Sequence, residues 1–310
     1  MIPMSQISPQ SHLAFPQAQW NLTGLLMHDD FILDFIRRIR DHLKAMPFKW
    51  VHGAPLSYRW NGGRVDPDHT ISFDRIRQVM NTYKEYNIGC MLTFSNRLLK
   101  ESDLDDPDCN RLLELLNGWG RKTNGVIVAS DMLADHIRAT YPNLHLMASI
   151  IKTTCENGEG NLSYYKNLES RFDSYVVDVN DNENYALLEG LDRGKAEILV
   201  NSYCVYRCPH KSEHYDLLVN VHDPSSGITK DTVLSYQRKH CKAYPMGRQL
   251  GKGRNHCLGL DELNTLYAMG FRNFKLQGRY TSSLTEILYD ICHYVFEKEF
   301  TGPQVFHAFA

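Results

Sequence analysis

Four cysteines in the last third of the chain are the residues best suited to chemistry. They are Cys204 and Cys208 in NSYCVYRCPHKSEHY, Cys241 in RKHCKAY and Cys257 in GRNHCLGLDEL. Cys204 and Cys208 form a C-x3-C pair, and 32 and then 15 residues separate the next two. Thiolates are soft ligands that suit iron–sulfur clusters or zinc, and four of them complete a site. Pro209 draws the chain out of regular structure directly after the pair, so both thiols can turn toward one centre. The spacing lacks the C-x2-C knuckle of structural zinc, which favours a [4Fe–4S] cluster with zinc as the alternative. Cys90, inside an apolar run, and Cys292, beside a helical apolar stripe, fit ordinary buried thiols. Cys109 and Cys155 stand as substitute ligands.

Histidines crowd the same region. His210 and His214 follow the C-x3-C turn, while His240 and His256 each precede a cysteine. His210 and His214 are the candidate catalytic pair: proton carriers, donors behind the ligands, or zinc ligands themselves. A basic set comes next. Arg248, Lys252 and Arg254 lie in the Gly-spaced MGRQLGKGRNHC, and Lys275 and Arg279 flank a predicted strand end. Such groups suit a carboxylate or a phosphate. GKGR does not have P-loop spacing, and no GxSxG, HExxH or paired-carboxylate pattern is present.

These residues need a scaffold. Apolar runs predict strands centred at Trp50, Met91, Val126, Leu146, Val176, Ile198 and Phe274. An eighth is expected near His240–Tyr244, within a weakly patterned stretch from Pro209 to Pro245. Between the strands the spacing predicts amphipathic helices over Asp29–Ala45, from Ser72, over Cys109–Leu116 and Asp131–Thr140, through YYKNLESRF, and over Asn182–Leu191, Leu260–Met269 and Ser283–Glu297. Ser72 and Ser130 are expected N-caps. This alternation predicts a (β/α)8 TIM-type barrel, with an open doubly wound sheet as the alternative. Residues 1–45 read as an N-terminal extension and helix packing on the barrel, and 46–310 as one barrel domain with a cysteine-rich loop over 204–257. Function in a barrel sits where strands end. His52, Asn96, Ser149, Lys152, Asp178, Asn180 and Asn201 occupy such positions.

Composition narrows the classes. A formal charge of −2 over 310 residues gives no global field favouring nucleic acid or a membrane. No apolar run reaches the length of a membrane span, and the first twenty residues, with Pro3, Pro9 and Pro16, do not read as a signal peptide. A cytoplasmic protein is expected, in which spaced cysteines point to metal or catalysis rather than to disulfides.

GLDELNTLYAMGFRNFKLQGR is similar to the late motif of the U32 peptidase-like family, where a helix after a Cys-containing loop leads to a strand ending Lys-Ile-Glu-Gly-Arg. Here the strand reads Lys275-Leu276-Gln277-Gly278-Arg279, with Gln277 in place of the acid. VNSYCVYRCPHKSEHY resembles the cysteine segment of divergent members. The resemblance spans roughly 124–297. It implies a TIM-type barrel and a four-cysteine [4Fe–4S] centre held by Cys204, Cys208, Cys241 and Cys257, with Lys275 and Arg279 lining the pocket. It also implies oxygen-independent hydroxylation of an anionic small molecule, an RNA or a quinone precursor. Two alternatives stand beside it: a peptidase or hydrolase, and a zinc-stabilised barrel acting as a binding module. A protein partner or a homo- or heterodimer is compatible with each.

Overall fold

The computed structural model describes residues 12–55, 58–62, 71–156, 158–241, 256–278 and 284–301. Eight parallel strands close into a barrel: β1 (Gln19–Thr23), β2 (Phe48–Gly53), β3 (Gly89–Phe94), β4 (Gly125–Val128), β5 (His145–Ala148), β6 (Ser174–Val176), β7 (Ala196–Leu199) and, after two short strands, β10 (Asn273–Lys275). Their order around the barrel follows the chain, and β1 closes it by pairing with both β2 and β10. This is the (β/α)8 architecture expected from the sequence.

The eighth strand is not where the sequence pattern put it. It is β1, within residues assigned to an N-terminal extension. QWNLT hides as a strand because Asn21 and Thr23 are polar yet buried, which breaks the apolar run. His240 instead ends a helix, and residues 242–244 lie outside the described residues.

The helices that cover the barrel follow sequence logic. They are α1 (Asp29–Ile39), α2 (Phe73–Glu85), α3 (Pro107–Asn117), α4 (Asp131–Thr140), a short α5 (Ile150–Cys155), α6 (Leu162–Arg171) and α7 (Tyr185–Glu189). Ser72 accepts the Arg75 N–H and Ser130 the Leu133 N–H, so both capping expectations hold. Ser149 caps α5 in the same way. Each helix sets one apolar face on the outside of the barrel. Ile32, Phe35, Ile36 and Ile39 of α1 and Ile76, Val79, Met80 and Tyr83 of α2 join one continuous core with the outward residues of the strands. Gly125 allows β4 to approach β5 closely: a Cβ there would lie 2.1 Å from the His145 carbonyl oxygen.

A second core fills the barrel itself. Trp50, Met91, Ile127, Met147, Val176 and Leu199 point inward from successive strands. Ile150 and Ile151 of α5, Val179 and Tyr215 close over them at the C-terminal mouth. Filling of this kind makes the barrel a packed solid rather than a pore.

Between β7 and β10 the chain makes an excursion over the mouth. It leaves through β8 (Asn201–Ser202), forms α8 (Lys211–Asn220) and α9 (Lys230–His240), and returns through β9 (His256–Cys257). β8 and β9 pair antiparallel, Asn201 opposite Cys257 and Ser202 opposite His256, and so pin the two ends together. α10 (Leu260–Ala268) then supplies the crossover to β10, and α11 (Leu284–Val295) and α12 (Lys298–Thr301) follow. Among its described residues, the weakly patterned stretch from Pro209 holds a pair of extra helices.

Candidate functional site

All four late cysteines belong to this excursion. Cys257 stands at its root, with Sγ 3.8 Å from the Ser202 carbonyl oxygen. Cys204 follows β8 by two residues. The chain then turns at Arg207, whose φ of 46° lies in the left-handed region that a non-glycine residue enters only under constraint. The constraint is visible: the Arg207 N–H donates to Asn180 Oδ1 at 3.1 Å and its Nε donates to Glu159 at 2.6 Å. This turn carries Cys208 toward the end of α9, where Cys241 sits. Burial pushes the Cys208 thiol above its usual range, and the thiols of Cys204 and Cys241 push it the same way, so each of the two lies within electrostatic reach of Cys208.

The packing of α8 against α9 sets this geometry. The His210 and His240 rings lie 4.5 Å apart, and the Tyr236 ring lies 4.6 Å from that of His240, tilted by 38°. His214 Nε2 meets the Gln237 amide at 2.8 Å, and the Tyr236 hydroxyl donates to Glu213. Between the loop and the end of α9 lies a cavity of about 400 Å³, lined by residues 205–210 and 238–241. Cys208, Cys241, His210 and His240 all face it. His214 does not; it serves the helix–helix contact.

Among the described residues no group of three or more His, Cys, Asp or Glu converges tightly enough for a single metal ion. A four-iron cube is larger than an ion and asks its thiolates to stand further apart. The four thiols are donors of the soft type such a group takes; Cys208 and Cys241 line the cavity, while Cys204 precedes the turn and Cys257 stands at the root of the excursion.

Lys211, which sequence reasoning passed over, and Cys155, which it named as a substitute ligand, lie near Cys204. Lys211 opens α8 and is only 7% exposed. Its Nζ donates to Thr154 Oγ1 at 3.3 Å. Burial works against the ammonium, but Tyr215, Cys204, Asp178 and Cys155 outweigh it and raise its pKa. Cys155, at the end of α5, is pushed up by burial and drawn back by a hydrogen bond with Ser212 and by Arg97. Arg97 in turn grips Asp216 through two contacts of 2.6 Å and ties α8 to the end of β3. A lysine directly after Cys-Pro-His was the available signal for Lys211. In a sequence it looks like any solvated lysine.

Lys275 ends β10, the strand-end position expected of it. It is buried inside the barrel, 6% exposed, with Nζ 3.5 Å from Glu197 Oε2. Glu197 Oε1 accepts from the Asn21 amide at 3.0 Å, and Asn21 Oδ1 meets His52 Nδ1 at 2.9 Å. A polar chain thus crosses β10, β7, β1 and β2, opposite the apolar filling of β3 to β6. A charge pair this deep is sustained only because each member has partners. Asn201, a strand-end candidate, is structural as well: it donates to Gln277 O and to the buried Asp290, both at 2.8 Å. Lys152 is equally spoken for, by Glu156 at 2.7 Å and Asp131 at 3.0 Å. Cys90, Cys109 and Cys292 are core thiols, as expected for the first and last; Cys109 packs inside α3, away from any ligand role. Arg279, Arg248, Lys252 and Arg254 lie outside the described residues.

No protein-family model matches the chain, and no curated protein matches it. Among solved structures, the U32 peptidase Mk0906 aligns at a TM-score of 0.51 and 13% identity, covering 84% of this chain and 92% of that one. The fold is U32 peptidase-like. A xylose isomerase domain containing protein from Salmonella typhimurium also aligns, at a TM-score of 0.44 and 10% identity, over 87% of this chain and 93% of its own. The resemblance read from the late motif points to the same barrel architecture. At such identity it speaks for the fold; chemistry has to be argued from the residues. No described helix is long and apolar enough to cross a membrane.

Proposed function

We propose that this chain is a U32 peptidase-like iron–sulfur enzyme, with a [4Fe–4S] cluster held by Cys204, Cys208, Cys241 and Cys257 over the C-terminal mouth of the barrel. The observation that carries the reading is the grouping of Cys204, Cys208 and Cys241 at one end of an excursion whose root holds Cys257. When bound, the cluster would supply electron transfer or activation of an oxygen-donating organic molecule, the chemistry of an oxygen-independent hydroxylation.

The chain's own residues have definable parts. Lys211 places a buried positive charge beside Cys204 and so favours its thiolate. Tyr215, Ile150 and Ile151 seal the apolar half of the mouth and keep water from the interior. The Arg97–Asp216 pair holds α8, and with it the start of the cysteine loop, in place. His210 faces the cavity at the cap of α8 and is the residue placed to carry a proton there.

Anaerobic purification followed by iron and sulfide analysis tests the proposal. A brown protein with four irons per chain, lost in Cys208→Ser, is the expected result. Colourless protein that takes up no iron during anaerobic reconstitution overturns it.

A zinc site is the alternative: two thiols and two imidazoles line the same cavity, although no three of them converge tightly enough for a single ion as the side chains stand. Stoichiometric zinc that iron cannot replace would decide for it. The peptidase reading lacks support at the mouth. His145 and Ser174 do make a Ser–His contact, at 2.6 Å. Both open their strands, however, and so lie at the N-terminal end of the barrel, the end that serves stability.

A further inference from the structure

The cavity between the cysteine loop and α9 has a charge pattern that its cysteines do not explain. Its described lining holds three permanent cations, Arg207, Arg238 and Lys239, and two imidazoles, His210 and His240, with no carboxylate. Arg207 is paired with Glu159. Arg238 and Lys239 have no ion pair among the described residues. In sequence no Asp or Glu occurs between Asp231 and Asp261, while Lys and Arg recur at 238, 239, 242, 248, 252 and 254. The chain as a whole carries −2, so this is local segregation and not a basic protein showing through.

Basic residues in the last turn of α9 complement its helix dipole, which accounts for their presence there. It does not account for a facing loop that brings Arg207 and His210 to the same cavity. About 400 Å³ is a small-ligand volume. Two unpaired cations and two imidazoles supply more donors than one carboxylate can accept. A phosphate monoester, with three terminal oxygens and up to two negative charges, matches them better.

We propose that this cavity binds a phosphate monoester, with Arg238 and Lys239 as the charge-bearing contacts and the His210 and His240 imidazoles beside them. The site deepens the cluster reading, since it would place a phosphorylated substrate against Cys208 and Cys241. Its recognition groups are nevertheless separate from the thiols.

Titration calorimetry on the full chain tests it, using inorganic phosphate, AMP and adenosine. Saturable binding is expected for phosphate and AMP, in competition with one another, and none for adenosine. The double substitution Arg238→Gln with Lys239→Gln lies on exposed positions of α9 and should weaken AMP binding about tenfold or more, as loss of charge-assisted contacts does. Equal binding of adenosine and AMP, no saturable binding, or an unchanged affinity in the double variant overturns the proposal. Cys208→Ser separates the two readings. Loss of iron with AMP binding retained supports both, while retention of iron sinks the cluster reading and leaves the phosphate result to stand or fall on its own.

Discussion

The protein keeps its cysteines in two environments, and the contrast shows what a thiol's surroundings decide. Cys90 lies in the barrel wall, Cys109 in α3 and Cys292 in α11. All three are sealed among aliphatic and aromatic side chains, and burial alone or first among causes raises their pKa, for Cys292 to about 12. They are small apolar spheres that happen to contain sulfur. Cys204, Cys208, Cys241 and Cys257 are only half-buried and sit on loops and strand ends rather than within packed faces. Lys211 faces one of them and Arg238 and Lys239 face two others. The first group stabilises a fold; the second lies on the excursion, with two of its thiols at the cavity and one beside a buried lysine.

The sharpest test of that contrast is metal content. Cys208→Ser should abolish iron loading in anaerobic reconstitution, whereas Cys90→Ser should leave the iron content unchanged. Equal iron in both variants breaks the comparison.

The same contrast extends to histidine and gives the next largest effect. Burial, first of all, pushes the His145 imidazole at the closed end of the barrel down from 6.5 to about 4. The folded state therefore holds it neutral while the unfolded chain takes up a proton. Stability should be complete above pH 6.5 and fall by roughly 3 kcal/mol as the pH drops to about 4, then level off. Urea denaturation across that window should show the slope, and His145→Gln should flatten it.

Smaller effects separate the two thiol groups further. Cys90→Ser places a hydroxyl where no partner waits and should cost about 1–3 kcal/mol in denaturant unfolding. Cys257→Ser, half-buried and near a carbonyl that its hydroxyl can still reach, should change the stability of the iron-free protein by about 0.5 kcal/mol or less. A larger loss there would mean that the root of the excursion is part of the core.

How much of this was legible depends on whether a residue's role is local. Helix α4 was readable to the residue, because Ser130 caps it and its apolar face is regular. α8 and α9 were not, since KSEHYDLLVN and KDTVLSYQRKH bury little of themselves, Val233 alone in the case of α9. β1 was missed because Asn21 faces a buried Glu197 that lies 176 residues away, and no local pattern encodes that. At the site, residue type singled out the cysteines and His210, of which the structure brings Cys208, Cys241 and His210 to one cavity. It put Lys275 at a strand end, where it stands, but could not show that Glu197 on another strand draws its side chain inside the barrel. Lys211 stayed invisible for a related reason: only the assembled mouth gathers Cys155, Cys204 and Asp178 around it.

The closure of the barrel through β1 has a consequence for how the protein is made. Thr23 donates to the carbonyl of Gly278, 255 residues further along the chain. Until that distant segment has been synthesised, β1 has β2 on one side and an unpaired edge on the other, and so has each newest strand of the growing sheet. Such edges invite pairing with other chains. A topology whose last contact joins its first strand to its last also folds slowly, because loop closure is paid for before it is rewarded. The polar Asn21 and Thr23 make that waiting edge less apolar than a strand such as β4, and the finished barrel supplies both with partners.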